Sequence, residues 1–387
     1  MKTMMCFMAT AAIMVGCGAS QKRMANSEQP VGPAFQADSA YAFCEQQCDF
    51  GPRTMNSEAH ELCGQWIVRK FRSYGMAVSE QRATLKGFDG TALLSNNITA
   101  HYQPECEQRV MLCAHWDSRP WADNDPDEAN HTKPVMAAND GASGVAVMLE
   151  IARLLQADST RLPIGVDFVC FDAEDWGSDD VSDSWALGAQ YWAQQYRIYS
   201  RKERREEMVE RREERGKATG RRALLGNERR EDSLADEDAL ASLPTSEGAL
   251  LPHSSFLLPR TLSYRYAILL DMVGGQGARF YQEGYSKYYA NHVVKRVWKA
   301  AGIAGYSSYF PMEDGGTITD DHGPVNEIAG IPCIDIINYY PGCEQSCFGP
   351  TWHTVSDDMA HIDRQTLKAV GQTLVQVLWS EEGDNKR

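Results

Sequence analysis

The sequence predicts a single α/β domain with a mostly parallel central sheet, helices on both faces and a charged surface insertion. Three observations carry this. Short, near-continuous apolar runs ("VMLCAH", "DFVCFD", "YRYAILLDM", "IPCIDII") recur along the chain, and strands of a parallel sheet covered on both faces read this way. Amphipathic stretches of helical spacing alternate with them. The chain of 387 residues is also long enough for one large domain of this kind.

Taken in order, "SEAHELCGQWIVRKFRSYG" has Ser57 as N-cap, helical apolar spacing and a stop at Gly75. Strands follow at about 77 to 86, 93 to 102 and 109 to 114. "GASGVAVMLEIARLL" then places Val145, Met148, Leu149 and Ala152 on one helical face. A strand from Ile164 to Phe171 leads to a helix near 184 to 197. The strand "YRYAILLDM", a helix near 285 to 301, the strand "IPCIDIIN" and a closing helix from about 364 to 380 complete the pattern. From about Ile198 to Leu258 the chain carries "RKERREEMVERREERGKATGRRALLGNERREDSLADEDALASLPTSEG", mixed in charge and poor in aromatics. Such a stretch buries too little apolar surface to offset its ordering entropy, so a surface insertion is expected there, helical at most near Arg201 to Arg215. No internal repeat is present.

The formal net charge of −15 and a pI near 5.1 argue against a nucleic-acid partner, whose phosphates need Lys and Arg. The opening "MKTMMCFMATAAIMVGCGAS" has one Lys, an apolar run from Met4 to Val15 and small residues around a Cys. The run is too short to span a membrane and fits an export signal. Its end, "MVGC", resembles the lipobox of bacterial lipoproteins, with Met14 where Leu is usual. The resemblance implies a lipid on Cys17, hence a membrane-tethered protein of the periplasm or outer membrane. An ordinary cleaved signal is the alternative. Residues 18 to 40 then read as a polar tether, and 41 to 387 as the catalytic domain, expected to be a monomer.

Eleven cysteines include Cys6 and Cys17 of the leader. Of the rest, Cys113, Cys170 and Cys333 lie in strand-like runs as small hydrophobes. The other six (Cys44, Cys48, Cys63, Cys106, Cys343 and Cys347) could cross-link in an oxidising compartment. A Cys343–Cys347 disulfide is expected in the loop leading to His353.

In a doubly wound sheet, ligands bind beyond the carboxyl ends of the strands. The residues following each strand are His115-Trp116-Asp117, Glu174-Asp175, Asp271 and, after the last strand, Trp352-His353-Thr354; Asn139-Asp140-Gly141 opens a helix, and Asp320-Asp321-His322 precedes the last strand. Singly, each has an ordinary reading: Asp140 as a helix cap, Asp117 as a turn residue, His322 as a hydrogen-bonded core histidine. Together, carboxylates and imidazoles converging from successive strand ends point to zinc, which takes N and O ligands and keeps one position open for catalysis.

The segments "HWDSRPWADNDPDEANHTKPVMAANDGASGVAVMLEIARLL", "FDAEDWG", "LLDMVGG", "DDHGPVNEIAGIPCIDII" and "WHTVSDDMAHID" resemble the zinc aminopeptidase (M28-like) superfamily. Within it they are most similar to the bacterial members of the animal-type glutaminyl-peptide cyclotransferases. The resemblance covers residues 41 to 387 except the insertion. It implies one zinc held by Asp140, Asp175 and His353, with Glu174 as general base and acid. Asp175 stands where many cyclases have Glu. Asp271 and Asp320 are implied to hold Glu174 and the substrate by hydrogen bonds, and Trp352 and Trp176 to contact the substrate. The implied substrates are peptides or proteins with N-terminal glutamine, converted to pyroglutamate with release of ammonia.

The rival within the superfamily is a two-zinc aminopeptidase, with His115, Asp140 and Asp271 around the second ion. "DDH", "WHT" and the long loop after His115 resemble the cyclases and favour the first reading. A peptide receptor without turnover would lack the base or a ligand, and Glu174 and the ligand residues are all present.

Overall fold

The computed structural model describes residues 29–202, 205, 208 and 263–383. The leader with Cys17, residues 18–28 and nearly all of the charged insertion lie outside the described residues. Helices α1 (Ala37–Cys48) and α2 (Glu58–Ser73) precede the sheet. Ser57 Oγ accepts from the amide of His60 at 3.1 Å, capping α2 as its position predicts. Next come β1 (Ala77–Lys86), β2 (Ala92–Tyr102), β3 (Gln108–His115), α3 (Ala142–Ala157) and β4 (Gly165–Phe171). Helix α4 starts at residue 187 and is still helical at 202, so it begins later and runs further than the expected 184 to 197. It thereby takes up the first residues of the insertion. β5 (Ser263–Asp271) and α5 (Gly284–Ala304) follow, then a single turn α6 (His322–Pro324), β6 (Cys333–Ile337) and α7 (Arg364–Trp379).

The strand order is β1-β2-β4-β3-β5-β6. β4, β3, β5 and β6 run parallel, while β2 is antiparallel to both β4 and β1. Alternate residues of one strand feed different cores: Val110, Leu112 and Ala114 of β3 join the core under α1, α2, α3, α5 and α7, and Met111 and Cys113 join the one under α4. The predicted face of α3 is fully buried, and so is most of its other side, because α1 and α7 also cover it. A polar network crosses four adjacent strands. Asp167 of β4 accepts from His101 of β2 (2.7 Å), Arg109 of β3 (Nε, 2.8 Å) and Tyr264 of β5 (2.6 Å).

Two expectations need correction. The tether was expected to reach residue 40, yet α1 starts at Ala37 and the chain is anchored from Val31. The amides of Val31 and Phe35 donate to Gln376 and Gln372 of α7, each at 2.8 Å. Phe35 is 1% exposed, filling a slot where Gly371 has no side chain; a Cβ there would lie 2.2 Å from the Phe35 ring. The domain therefore begins about ten residues before the expected boundary, because one aromatic in a polar stretch finds a fitted slot. Second, all nine cysteines among the described residues are free. The expected Cys343–Cys347 disulfide is absent, and their loop is instead closed by main-chain bonds such as Tyr340 N to Cys347 O at 2.7 Å. Cys44 and Cys48 lie buried on α1, where Cys44 Sγ donates to Ala138 O at 2.9 Å.

Candidate metal centre and active-site pocket

The carboxyl ends of β3, β4 and β5 deliver His115, the pair Glu174-Asp175, and Asp271 to one place, and Asp140 arrives at the start of α3. Asp140 is not a helix cap: Gly141 occupies the N-cap position with φ 98°, and no side chain caps the helix. Both carboxylate oxygens of Asp357 instead accept from the amides of Asn139 (2.8 Å) and Asp140 (3.0 Å), fixing that turn. Asp117 does the same for the acid pair, accepting from the amides of Glu174 and Asp175 at 3.2 Å each. Ala173, Met272 and His353, each at or beside a site residue, have φ of 54°, 49° and 54°. Left-handed backbone at non-glycine residues is strained and persists where surrounding structure over-determines it, typically at functional sites.

Asp140, Asp175 and His353 are buried, and each offers a ligand atom within 4.8 Å of the other two. His353 Nε2 stands 3.2 Å from Asp175 Oδ1 and 3.7 Å from Asp140 Oδ2. Neither Asp175 oxygen has a hydrogen-bond partner. A buried carboxylate without donors is expensive, so this donor set fits a divalent cation of zinc's kind. The other ring nitrogen of His353 lies 3.4 Å from Asp123 Oδ1, and Arg119 binds Asp123 through Nε at 3.1 Å. A carboxylate behind a ligating imidazole fixes its tautomer and raises its basicity. His115, Asp140 and Asp271 form a second compact group. There His115 Nε2 is hydrogen-bonded to Asp140 Oδ1 (2.9 Å) and Asp271 Oδ1 (3.2 Å).

The pocket in front of these groups has a volume of about 870 Å³ and is lined by Asp140, Glu174, Asp271, Asp320, Trp352 and His353, among others. Burial first, then the neighbouring Asp175, Asp320 and Asp321, push the Glu174 carboxyl well above its usual range against the pull of His115. Burial and Asp140 raise Asp271 to about 8. Burial opposes a charge on His353, but Asp175, Asp123 and Asp140 outweigh it and raise the imidazole to about 9. Such crowding of carboxylates is what a bound cation relieves.

Residues 97–378 match the family model described as Peptidase family M28. The chain belongs to that family. Among solved structures, glutaminyl cyclase from Bacteroides thetaiotaomicron bound to N-acetylhistamine is 39% identical with a TM-score of 0.72, covering 91% of this chain and 100% of that one. Tannerella forsythia glutaminyl cyclase is 40% identical (TM-score 0.71), over 90% of this chain and 100% of that one. A leucine aminopeptidase precursor from Bacteroides thetaiotaomicron is 38% identical (TM-score 0.71), over 91% and 99% of the two chains. No curated protein sequence matches.

On this M28 fold, one expected substrate contact is misplaced. Trp176 does not line the pocket; it packs on Trp121 (5.0 Å between ring centroids), and its Nε1 donates to Asp89 Oδ1 at 3.3 Å. As next neighbour of the buried ligand candidate Asp175, its side chain leaves the other way, toward β1–β2. Trp185 takes that place in the pocket wall, 6.0 Å from His353 and stacked on Arg119. Trp352 does line the pocket, and its ring stacks 3.7 Å from that of His353. Arg119, Asp123 and Asp357 are not singled out by the sequence, being acids and a cation inside polar loops; for Arg119 and Asp123 the nearest signal is their place in "DSRPWAD" directly after His115-Trp116.

Proposed function

We propose that this chain is a glutaminyl-peptide cyclotransferase, closing N-terminal glutamine to pyroglutamate with release of ammonia. Asp140, Asp175 and His353 hold one zinc ion, which supplies Lewis-acid polarisation of the substrate's γ-carbonyl. The observation that carries one ion rather than two is the pair of unpartnered Asp175 oxygens, set against a His115 Nε2 already occupied by Asp140 and Asp271. Asp175 has no hydrogen-bond donor on either oxygen, whereas His115 Nε2 already bridges the two carboxylates of its set and only its Nδ1 is left without a partner.

The reaction needs a proton moved between two nitrogens. The substrate α-amine attacks its own γ-carbonyl carbon, and the bond from that carbon to the amide nitrogen breaks. Glu174 takes a proton from the attacking amine and returns it to the leaving nitrogen, which departs as ammonia. A carboxyl pushed upward by burial and by neighbouring acids suits both halves of that transfer. Asp271 and Asp320 line the same pocket; in this reading they hold Glu174 and the substrate nitrogens by hydrogen bonds. Trp352 forms the flat wall for the glutamine side chain.

The aminopeptidase alternative keeps its own support, since His115, Asp140 and Asp271 also lie within ligand distance of one another. An ammonia assay on a glutamine-initiated peptide, run with the zinc-loaded protein beside a free-amino-acid assay, separates the two. Ammonia release without free amino acid is expected. Free glutamine without ammonia establishes the peptidase.

Export belongs to the same reading: the apolar run ending in "MVGC" directs the protein out of the cytoplasm and places a lipid on Cys17. Anchoring of the domain from Val31 leaves a tether shorter than the 18 to 40 first expected. Palmitate labelling that disappears in Cys17→Ser is the expected result, and labelling that persists contradicts it. Among the described residues no helix is long and apolar enough to cross a membrane.

A further inference from the structure

Beside the pocket lies a buried donor cluster of which the reaction uses only Asp320. Asp320 and His322 stand either side of Asp321 at the start of α6, and Asp335 sits in the middle of β6. Asp335 shares a strand face with Cys333 and Ile337, and Asn326, in the turn after α6, ties His322 to β6: its Nδ2 donates to His322 O and its Oδ1 accepts from the amide of Cys333, each at 2.9 Å. Asp320, His322 and Asp335 each contribute a ligand atom within 4.8 Å of the others. They are 4%, 0% and 0% exposed. Both oxygens of Asp335, both ring nitrogens of His322 and Oδ2 of Asp320 have no hydrogen-bond partner.

The neighbours do not repair this. His322 Nε2 comes within 3.2 Å of Glu283 Oε2 without hydrogen-bond alignment, and Glu283 already accepts from the amides of Tyr285, Ser286 and Ile318. The ion pairs among the described residues bring no Lys or Arg to Asp320, Asp321 or Asp335. Buried charges persist when paired or when they coordinate metal. A single shared proton joins two atoms and leaves three of the five open. Calcium and magnesium sites are built of many oxygens, whereas one imidazole nitrogen with two carboxylates is a zinc-class donor set.

We propose that Asp320, His322 and Asp335 form a second binding site for a zinc-class divalent cation, distinct from both His115–Asp140–Asp271 and Asp140–Asp175–His353. Asp320 also lines the pocket, so an ion here pins a carboxylate that faces the substrate. The site does not depend on the cyclase reading, since it draws on no substrate chemistry.

The test strips the full chain of metal with a chelator, refills it with zinc alone, and maps zinc by anomalous diffraction at its absorption edge. A peak between Asp320, His322 and Asp335 is expected beside the one at Asp140, Asp175 and His353. In solution, Asp335→Asn is expected to carry one zinc per chain fewer than the wild type. A wild-type map with zinc only at other positions overturns the proposal, whether or not the variant folds, and so does a folded Asp335→Asn with undiminished zinc.

Discussion

At the end of β4 the chain turns through a left-handed Ala173, and the two acids that follow leave it in different directions. Asp175 reaches His353, while Glu174 faces the pocket. Glu174→Gln keeps the size and the metal ligands but cannot accept a proton. Turnover is expected to fall about 10²- to 10⁴-fold, the usual worth of a general base, with metal content by mass spectrometry unchanged; loss of metal would reverse the roles of the two acids. Asp123→Asn removes the carboxylate behind His353 and is expected to weaken zinc binding about 10- to 100-fold in a competition titration. The pH profile has a definite sign. As the proposed base Glu174 acts ionised, and burial raises its pKa, so kcat/KM is expected to fall as pH drops through that raised value. The acid limb is expected above the ordinary carboxylate range near ~4.3. That Glu174 and Asp175 would reach the pocket region was legible because they follow the end of β4, and Asp140 because it opens α3; His353 lies in a loop beyond β6 and stood out through its resemblance motif "WHT". Asp123 and Asp357 were not legible, since each is one acid among many in a polar loop.

Among the elements, the apolar strands were readable directly, and β1 to β6 fall close to their expected positions. What could not be read is how the strands are tied together, because Arg109, His101 and Tyr264 meet Asp167 only once the order β2-β4-β3-β5 exists. Burial raises the Asp167 carboxyl, but His101 and Arg109 overcome this and hold it at about 2, against an ordinary 3.8. A depressed folded-state pKa stabilises above the unfolded value, and that contribution is lost as pH falls from about 4 to about 2. The window corresponds to roughly 2–3 kcal/mol. Asp167→Asn leaves Arg109 buried beside a neutral partner, and urea denaturation is expected to show a loss of about 3–5 kcal/mol; a loss under 1 kcal/mol would contradict a role for the network in holding the sheet. Helix α1 went unread for a related reason. Its sequence "ADSAYAFCEQQC" has weak apolar periodicity, and its burial comes from packing on α3 and α7.

For the molecule as a whole, the N-terminal segment acts as part of the core. Phe35→Ala empties a fitted slot against α7 and is expected to cost about 3–5 kcal/mol, whereas a chain starting at residue 29 should unfold at the wild-type urea concentration. Equal stability of Phe35→Ala and the wild type would restore the tether to residue 40. The charged insertion leaves and re-enters between α4 and β5, so the sheet and the pocket are assembled from segments on either side of it. The account's central claim is that this M28 pocket moves one proton between two nitrogens of the same glutamine. Mass spectrometry of a peptide beginning Gln-Leu, incubated with the zinc-loaded protein, tests that most directly. The expected spectrum shows the peptide lighter by one ammonia and otherwise intact; a peptide shortened by its first residue, with free glutamine in solution, would contradict it.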